Sequence, residues 1–322
     1  MRRKERKFLI RCFLFLVLLL LCLGCYWYLN SDSAEPQVTI PTTPVPTVKP
    51  TVMPTVMPTV VPTQAPASGD PLIIHFIDVG QADAILLSHD GKYAMVDAGK
   101  SMADAEVSES ALERHLDRFD GLDWLLATHQ DSDHIGLARY VMTSDKTKTF
   151  YDNGNPSDTF TYTKLMTFLT DNNIDYTILS AGDTINTWDD VGITVMSSAI
   201  TNGYDVNDDS IVLLVEYGGT KVALTGDISK DVEGEIGARL GDVDILKVPH
   251  HGSKTSASST FLQYVKPEVS VISVGENSYG HPNADTADRL DDYGTIYRTD
   301  EYGCVEVVIT DSGYYVRHCE WA

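Results

Sequence analysis

The sequence predicts an α/β domain, a sandwich of two sheets flanked by helices, behind an N-terminal membrane anchor and a Pro/Thr-rich stalk. Three observations carry this. Apolar strand-like runs separated by Gly-containing turns occur in two cycles along residues 71–322, each cycle followed by helical spacing. An uninterrupted apolar run lies near the N-terminus. Between that run and the domain is a segment too rich in Pro to build a core.

Residues 1–30 open with Arg2, Arg3, Lys4, Arg6 and Lys7 against Glu5, and carry no charge from Cys12 to Leu29. That run can cross a hydrocarbon layer of about 30 Å. The basic flank keeps the N-terminal side cytoplasmic and sends the remainder outside. A cleaved signal peptide is the rival reading, but the run is long for one and no small-x-small site follows. An uncleaved single-pass anchor is favoured. Residues 31–70 repeat Pro-Thr-Val units, which favour extended polyproline II and read as a disordered, semi-rigid stalk.

The domain opens with strands at Leu72–Val79, Ala84–Leu87 and Tyr93–Asp97. Leu112, Leu116 and Phe119 mark a helix over 108–119. Trp124–Ala127 reads as a buried strand, followed by a helix over Ile135–Met142. The second cycle has a helix at Thr161–Leu169, strands at Ile193–Ser197 and Ile211–Glu216, and a Gly218-Gly219 turn. A return strand spans Lys221–Thr225, a helix Val232–Leu240 and a strand Val243–Val248. A helix at Ser259–Val265 and a strand at Val269–Val274 follow. Two alternating strands around Asp311-Ser312 form a terminal hairpin that sets Cys304 opposite Cys319, and predicts a disulfide between them. Two free buried thiols are the alternative.

From residue 70 onward, 17 Lys and Arg face 43 Asp and Glu, a formal charge of −26. That argues against a broad electrostatic grip on nucleic acid, which depends on neutralising phosphates. It leaves room for bound cations.

The densest chemistry is Ala127-Thr-His-Gln-Asp-Ser-Asp-His-Ile-Gly136, where His129, Asp131, Asp133 and His134 fall within six positions. Imidazole and carboxylate at this density hold borderline divalent ions beside water. Asp97, Asp227 and the His250-His251 pair stand at other strand ends. Together with Asp78-Val-Gly-Gln-Ala-Asp83, Asn207-Asp-Asp-Ser210, Thr225-Gly-Asp227, Pro249-His-His-Gly-Ser253, Tyr279-Gly-His-Pro282 and Arg298-Thr-Asp300, the chain resembles the metallo-β-lactamase superfamily. The likeness is stronger still to the extracytoplasmic hydrolase domain of ComEC-type DNA-uptake proteins.

The resemblance implies a four-layer αββα sandwich and two divalent metal ions, Mn2+ or Zn2+. It implies His129 and Asp131 at a first metal, Asp133 and His134 at a second, Asp227 bridging, and one of His250 and His251 completing the second; we place His251 there. Asp131 stands where the wider superfamily usually has His, which makes the first site more oxygen-rich and tilts it toward manganese. Asp133, His250 and His281 are the catalytic candidates, as water-orienting carboxylate and charge-stabilising or proton-donating imidazoles. Asn207, Lys254 and Arg298 are candidate extra ligands or substrate contacts, although Arg298 is equally placed to be an ion-pair partner. Asp97 is expected to anchor the metal loop by hydrogen bonds, and Asp83 to pin the first hairpin.

The function this implies is a membrane-anchored extracellular phosphodiesterase or nuclease acting on DNA through a dinuclear metal-activated water. Hydrolysis of wall or membrane phosphodiesters, such as phosphocholine esters, is the alternative substrate class. A non-catalytic metal-binding module is the alternative of another kind. The ectodomain is expected to be monomeric.

Overall fold

The computed structural model describes residues 69–100, 105–117, 121–144, 147–197 and 205–319 of the 322-residue chain. The anchor expected over 1–30 and all of the stalk but Gly69 and Asp70 lie outside the described residues. Among the described residues no helix is long and apolar enough to cross a membrane.

Among the described residues, fourteen strands form two sheets. The larger contains β1 (Leu72–Phe76), β2 (Ala84–His89), β3 (Lys92–Ala98), β4 (Trp124–Leu126), β5 (Thr149–Asp152), β6 (Asp175–Ile178), β13 (Val305–Thr310) and β14 (Gly313–His318). Their order is β14-β13-β1-β2-β3-β4-β5-β6. The smaller contains β7 (Gly192–Ser197), β8 (Val212–Tyr217), β9 (Thr220–Leu224), β10 (Ile245–Lys247), β11 (Val269–Ile272) and β12 (Thr295–Arg298), ordered β12-β11-β10-β9-β8-β7. Each sheet is antiparallel on one side and parallel on the other: β3-β4-β5-β6 and β9-β10-β11-β12 run parallel.

Strand alternation explains the layers. Leu72, Ile74 and Phe76 of β1 face the same core as Leu213 and Val215 of β8, so one face of each sheet meets the other. Ile77, Leu86 and Met95 belong to a second core, shared with Leu112 and Leu116 of α1 (Ala105–Leu116), Val141 of α3 (Ala138–Ser144) and Leu165 of α4 (Phe160–Asp171). Val212 and Leu214, one residue out of step with the inner set, pack on Ile236 of α5 (Lys230–Leu240), Phe261 of α6 (Ser259–Val265) and Leu290 of α7 (Ala284–Asp291). Helix, sheet, sheet, helix is the expected four-layer order. Each strand that supplies both cores reads as a continuous apolar run, as burial on both faces requires.

One expected helix is broken. Residues 135–142 were expected to form one segment, but α2 (Ser132–Ile135) ends at Gly136 and α3 begins at Ala138. The Gly136 N–H donates instead to the carbonyl of Gly99 at 2.9 Å, tying the metal loop to the end of β3. The terminal hairpin forms as expected, and a disulfide joins Cys304 to Cys319 with Cα atoms 5.4 Å apart.

Candidate metal centre

The metal-type residues gather where strands of both sheets end. Asp97 closes β3, Thr128–Asp133 follow β4, Asp227 follows β9, and His250 and His251 follow β10. In open α/β sheets the carboxyl ends of parallel strands are where ligands bind. The turns are tight. Gly226 has φ +53°, and a Cβ there would lie 2.8 Å from the Ser210 side chain, so Thr225-Gly226-Asp227 needs its glycine. Asp97, His250 and His251 adopt left-handed backbone with φ of 58°, 51° and 52°. Each non-glycine residue there costs roughly 1–3 kcal/mol, sustained only because the surrounding packing fixes it.

Histidine orientation is set from behind. His134 Nδ1 lies 2.8 Å from Asp97 Oδ2, and Asp97 also accepts from the Thr128 N–H and hydroxyl, both at 2.8 Å. His251 Nδ1 donates to the Ser273 carbonyl at 2.8 Å. A carbonyl only accepts, so Nδ1 carries a proton and Nε2 is the ring atom left for a cation. His129 Nδ1 faces Thr128 Oγ1 at 3.1 Å and Ser210 Oγ at 3.4 Å. All three rings therefore present Nε2 to one space.

That space has the character of a cation site. Nε2 of His129, His134 and His251 and Oδ1 of Asp227 are buried and hydrogen-bond to nothing in the protein. Such groups cost about 1–3 kcal/mol each when left unmet. His129, His134 and Asp227 offer ligand atoms within 4.8 Å of one another, as do Asp133, His134 and His251. Asp227 Oδ2 lies 3.3 Å from His134 Nε2 and 3.5 Å from His251 Nε2, which suits the bridging position. Asp131 is the least enclosed candidate: its side chain is 47% exposed and 3.8 Å from His129 Nε2. It caps α2 through its backbone, with no hydrogen bond from its carboxylate, which stays available. The donor set therefore fits divalent metal ions.

Charges on the protein's own groups are arranged around the same space. Burial opposes charge on His134, yet Asp227 and Asp97 hold its pKa well above the usual histidine value. Burial and the neighbouring His134 hold His129 well below it. Burial would raise Asp227, but His251, His134 and Lys247 outweigh it and keep the carboxylate charged. Asp133 is likewise held low by His251 and His134 against its burial.

Lys247, not anticipated from the sequence, is fully buried beneath the site. Its ammonium pairs with Asp83 and lies 3.6 Å from Asp227 Oδ1. Burial opposes the charge, but Asp83 and Asp227 raise its pKa, so it remains an ammonium. The signal was legible: a lone Lys closing an apolar strand immediately before Val-Pro-His-His. Asp83 lies 3.8 Å from His134 Nδ1 and 3.7 Å from His251 Nδ1, so it supports the histidines as well as the first hairpin.

Above the ligands opens a cavity of about 410 Å3, lined among others by Asp131, Asp133, His250, His251, His281 and Tyr279, with Lys100 and Gln81 at its wall. His250 is a quarter exposed with Nε2 3.9 Å from Asp227 Oδ2. His281 packs edge-on to His250 and takes Gln81 Nε2 at 3.4 Å from its Nδ1. Burial and the neighbouring His250 and His251 push its pKa down to about 4. Three candidates fall elsewhere. The Arg298 guanidinium is taken by Asp300 at 2.6 and 3.0 Å and Glu301 at 2.9 Å, which settles it as an ion-pair partner. Lys254 is exposed and outside the lining, because the Ser253–Thr255 turn points it to solvent. Asn207 sits in a turn with its N–H on Asp205 and also lies outside the lining.

A two-sheet α/β fold with a histidine-carboxylate centre at its strand ends is the architecture of a metal-binding superfamily whose members are generally metal-dependent hydrolases. Residues 77–276 match the sequence profile of the Metallo-beta-lactamase superfamily, and the chain belongs to that superfamily. Its curated relatives are ComEC-like competence proteins. It is 28% identical over 256 residues to ComE operon protein 3 of Bacillus subtilis, covering 72% of this chain and 32% of that one. It is 31% identical over 225 residues to Recombination protein 2 of Haemophilus influenzae, covering 67% of this chain and 26% of that one. The chain thus spans about a third or less of the length of these relatives. Among solved structures it is similar to the metallo hydrolase Igni18 of Ignicoccus hospitalis, 16% identical, covering 73% of this chain and 98% of that one, with a TM-score of 0.48.

Proposed function

We propose that the domain is a metal-dependent phosphodiesterase that takes DNA as its substrate, held outside the cell by the N-terminal anchor. The observation that carries hydrolysis is two ligand groups that share His134, one of His129, His134 and Asp227 and one of Asp133, His134 and His251, with Asp133 and His251 reaching the cavity lining. Charge balance favours two ions, of manganese or zinc. Asp83, Asp97, Asp131, Asp133 and Asp227 against the single ammonium of Lys247 leave four negative charges, which two divalent cations neutralise.

Bound divalent ions would supply Lewis acidity at the phosphoryl oxygens and a nucleophilic water at neutral pH. The chain's own groups do the rest. Asp133 sits at the cavity wall as a carboxylate and can orient an attacking water by accepting a hydrogen bond from it. His281, neutral above its low pKa, can turn a ring N–H toward the leaving oxygen, and His250 packs edge-on beside it. Lys100 supplies a cation for a phosphate oxygen at the wall, so a broad basic surface is not needed. The names of the relatives, competence and recombination proteins, support DNA as the substrate class.

The acidity of the domain favours a second substrate class, a wall or membrane phosphodiester such as a phosphocholine ester. The test is release of acid-soluble nucleotides from single-stranded DNA by the purified chain with Mn2+ or Zn2+, set beside hydrolysis of a phosphocholine ester. Nucleotide release abolished in His134→Ala supports the proposal. Ester hydrolysis alone moves the assignment to the second class. A chain that hydrolyses neither while holding its metal is the non-catalytic module.

A further inference from the structure

A second cluster of metal-type side chains shares no residue with the centre described above. His75, His115, Cys304 and Cys319 each offer a ligand atom, and these four atoms lie within 4.8 Å of one another. All four residues are at most 3% exposed. They come from separate parts of the chain: His75 from β1, His115 from the end of α1, Cys304 from just before β13, and Cys319 from just after β14. The disulfide accounts for the two cysteines. It does not account for two histidines brought edge-on to each other, ring centroids 5.7 Å apart, against the sulfurs.

The His115 ring is set as a metal ligand's would be. His115 Nδ1 donates to the carbonyl of Ala111 at 2.8 Å, so its proton is placed there. Nε2, on the far side of the ring, faces Cys304 Sγ at 3.4 Å. A backbone carbonyl behind the ring is the partner that metal-binding histidines use. His75 Nδ1 lies 3.8 Å from Cys319 Sγ and 3.4 Å from Glu306 Oε2, and Glu306 is paired with Arg317 at 2.6 Å. Two thiolates and a dication sum to zero, and the Glu306–Arg317 pair is already balanced, so the buried site would carry no net charge.

We propose that these four residues form a Cys2His2 zinc site that replaces the disulfide when the cysteines are reduced. Exchange with a dithiol breaks the bond between Cys304 and Cys319, leaves two thiols in the chain and converts the dithiol to its own disulfide. Zinc then binds both sulfurs and both imidazoles and releases the two thiol protons to solvent. Two sulfurs about 2.3 Å from one tetrahedral ion stand about 3.8 Å apart. Rotation of the cysteine side chains about fixed Cα positions is enough to reach that separation. The disulfide ties only the two ends of the terminal hairpin. Zinc also ties that hairpin to α1 and β1, so the edge of the large sheet stays fastened in either redox state.

Cobalt is the probe, because cobalt bound to thiolate gives a near-ultraviolet charge-transfer band that the sulfur-free centre cannot produce. The full chain carries Cys12, Cys22 and Cys25 as alanine, so that Cys304 and Cys319 are the only thiols. It is reduced with a dithiol, freed of the reductant and titrated with Co2+. The expected result is one thiolate-bound cobalt per chain, displaced by zinc and retained in His134→Ala. The band is lost in Cys304→Ser, and affinity falls about tenfold or more in His115→Ala, since even supporting partners of a ligand are worth that much. Two titratable thiols with no band overturn the proposal. So does a band indifferent to His75→Ala and His115→Ala together. A reduced chain that loses its circular dichroism and does not regain it with zinc overturns it as well.

Discussion

Replacing Asp97 by Asn changes one atom and tests how the metal centre is oriented. Asp97 is 1% exposed and accepts three hydrogen bonds, from the Thr128 N–H, the Thr128 hydroxyl and His134 Nδ1. An amide can keep the first bond through its oxygen. Its NH2 then meets two donors, the Thr128 hydroxyl and His134 Nδ1–H. The His134 ring relieves that clash by moving its proton to Nε2, the atom aimed at Asp227 and the metal. Loss of such a supporting partner costs about 10–100-fold in metal affinity, or about 1.4–2.8 kcal/mol at 1.4 per tenfold. The lost charge-assisted bonds lower the stability of the metal-free chain by about 1.5–3 kcal/mol as well. The assay is competition with a chromophoric chelator, run beside urea unfolding with metal removed. D97N that binds both metals within about threefold of the parent, with the His134 proton still on Nδ1 by nitrogen NMR, would refute the orienting role.

Three further outcomes follow from the same geometry. Lys247→Met leaves Asp83 buried without its ammonium, and the metal-free chain should lose about 3–5 kcal/mol in urea unfolding, with part of the loss recovered on adding metal; an unchanged midpoint would show that Asp83 has another counter-charge. His134 has a raised pKa when metal-free, so its contribution to stability is complete below about 6.5 and lost as pH rises through the raised value. Melts in chelator should therefore drop from pH 6.5 upward, while metal affinity grows with pH and binding releases protons, read by calorimetry in buffers of different ionisation enthalpy. His281→Ala should cut kcat about 10²-fold with metal content unchanged, because a neutral ring at the cavity mouth acts on substrate and not on the ions; a parallel fall in bound metal by elemental analysis would make it a structural residue instead.

Much of this was legible in the sequence, for physical reasons that also explain the omissions. Strands buried on both faces announce themselves as apolar runs and were found within a few residues, whereas β5, four residues with alternate positions only partly buried, was not. Edge elements do not. All four residues of β6 are exposed, and the strand exists through backbone pairing to β5. The strand β12 and the helices α7 and α8 (Thr299–Tyr302) were missed because each is eight residues or fewer and mixes polar with apolar positions. At the centre, the ligand types are rare and clustered, so His129, Asp133, His134, Asp227 and His251 could be named from the chain alone. Asn207, Lys254 and Arg298 lie outside the cavity lining; polar residues near a motif have many uses, and only coordinates show that Asp300 and Glu301 stand beside Arg298.

Lys247 shows what local reading cannot supply. Its meaning depends on Asp83, which lies 164 positions earlier in the chain. A buried ammonium is costly alone and so is a buried carboxylate; side by side under the histidines they offset each other. The pair also holds positive charge close to where dications would bind, which weakens ion affinity at first sight. Yet without it the five carboxylates would exceed the charge of two divalent ions by one. The Lys247 ammonium cancels that excess from beneath the ligands, out of the cavity, so it corrects the charge without competing for a coordination position. A chain with this arrangement should therefore fill both positions together and release both together as pH falls. Metal content that declines in two well-separated steps would mean that the ions are not balanced as a pair.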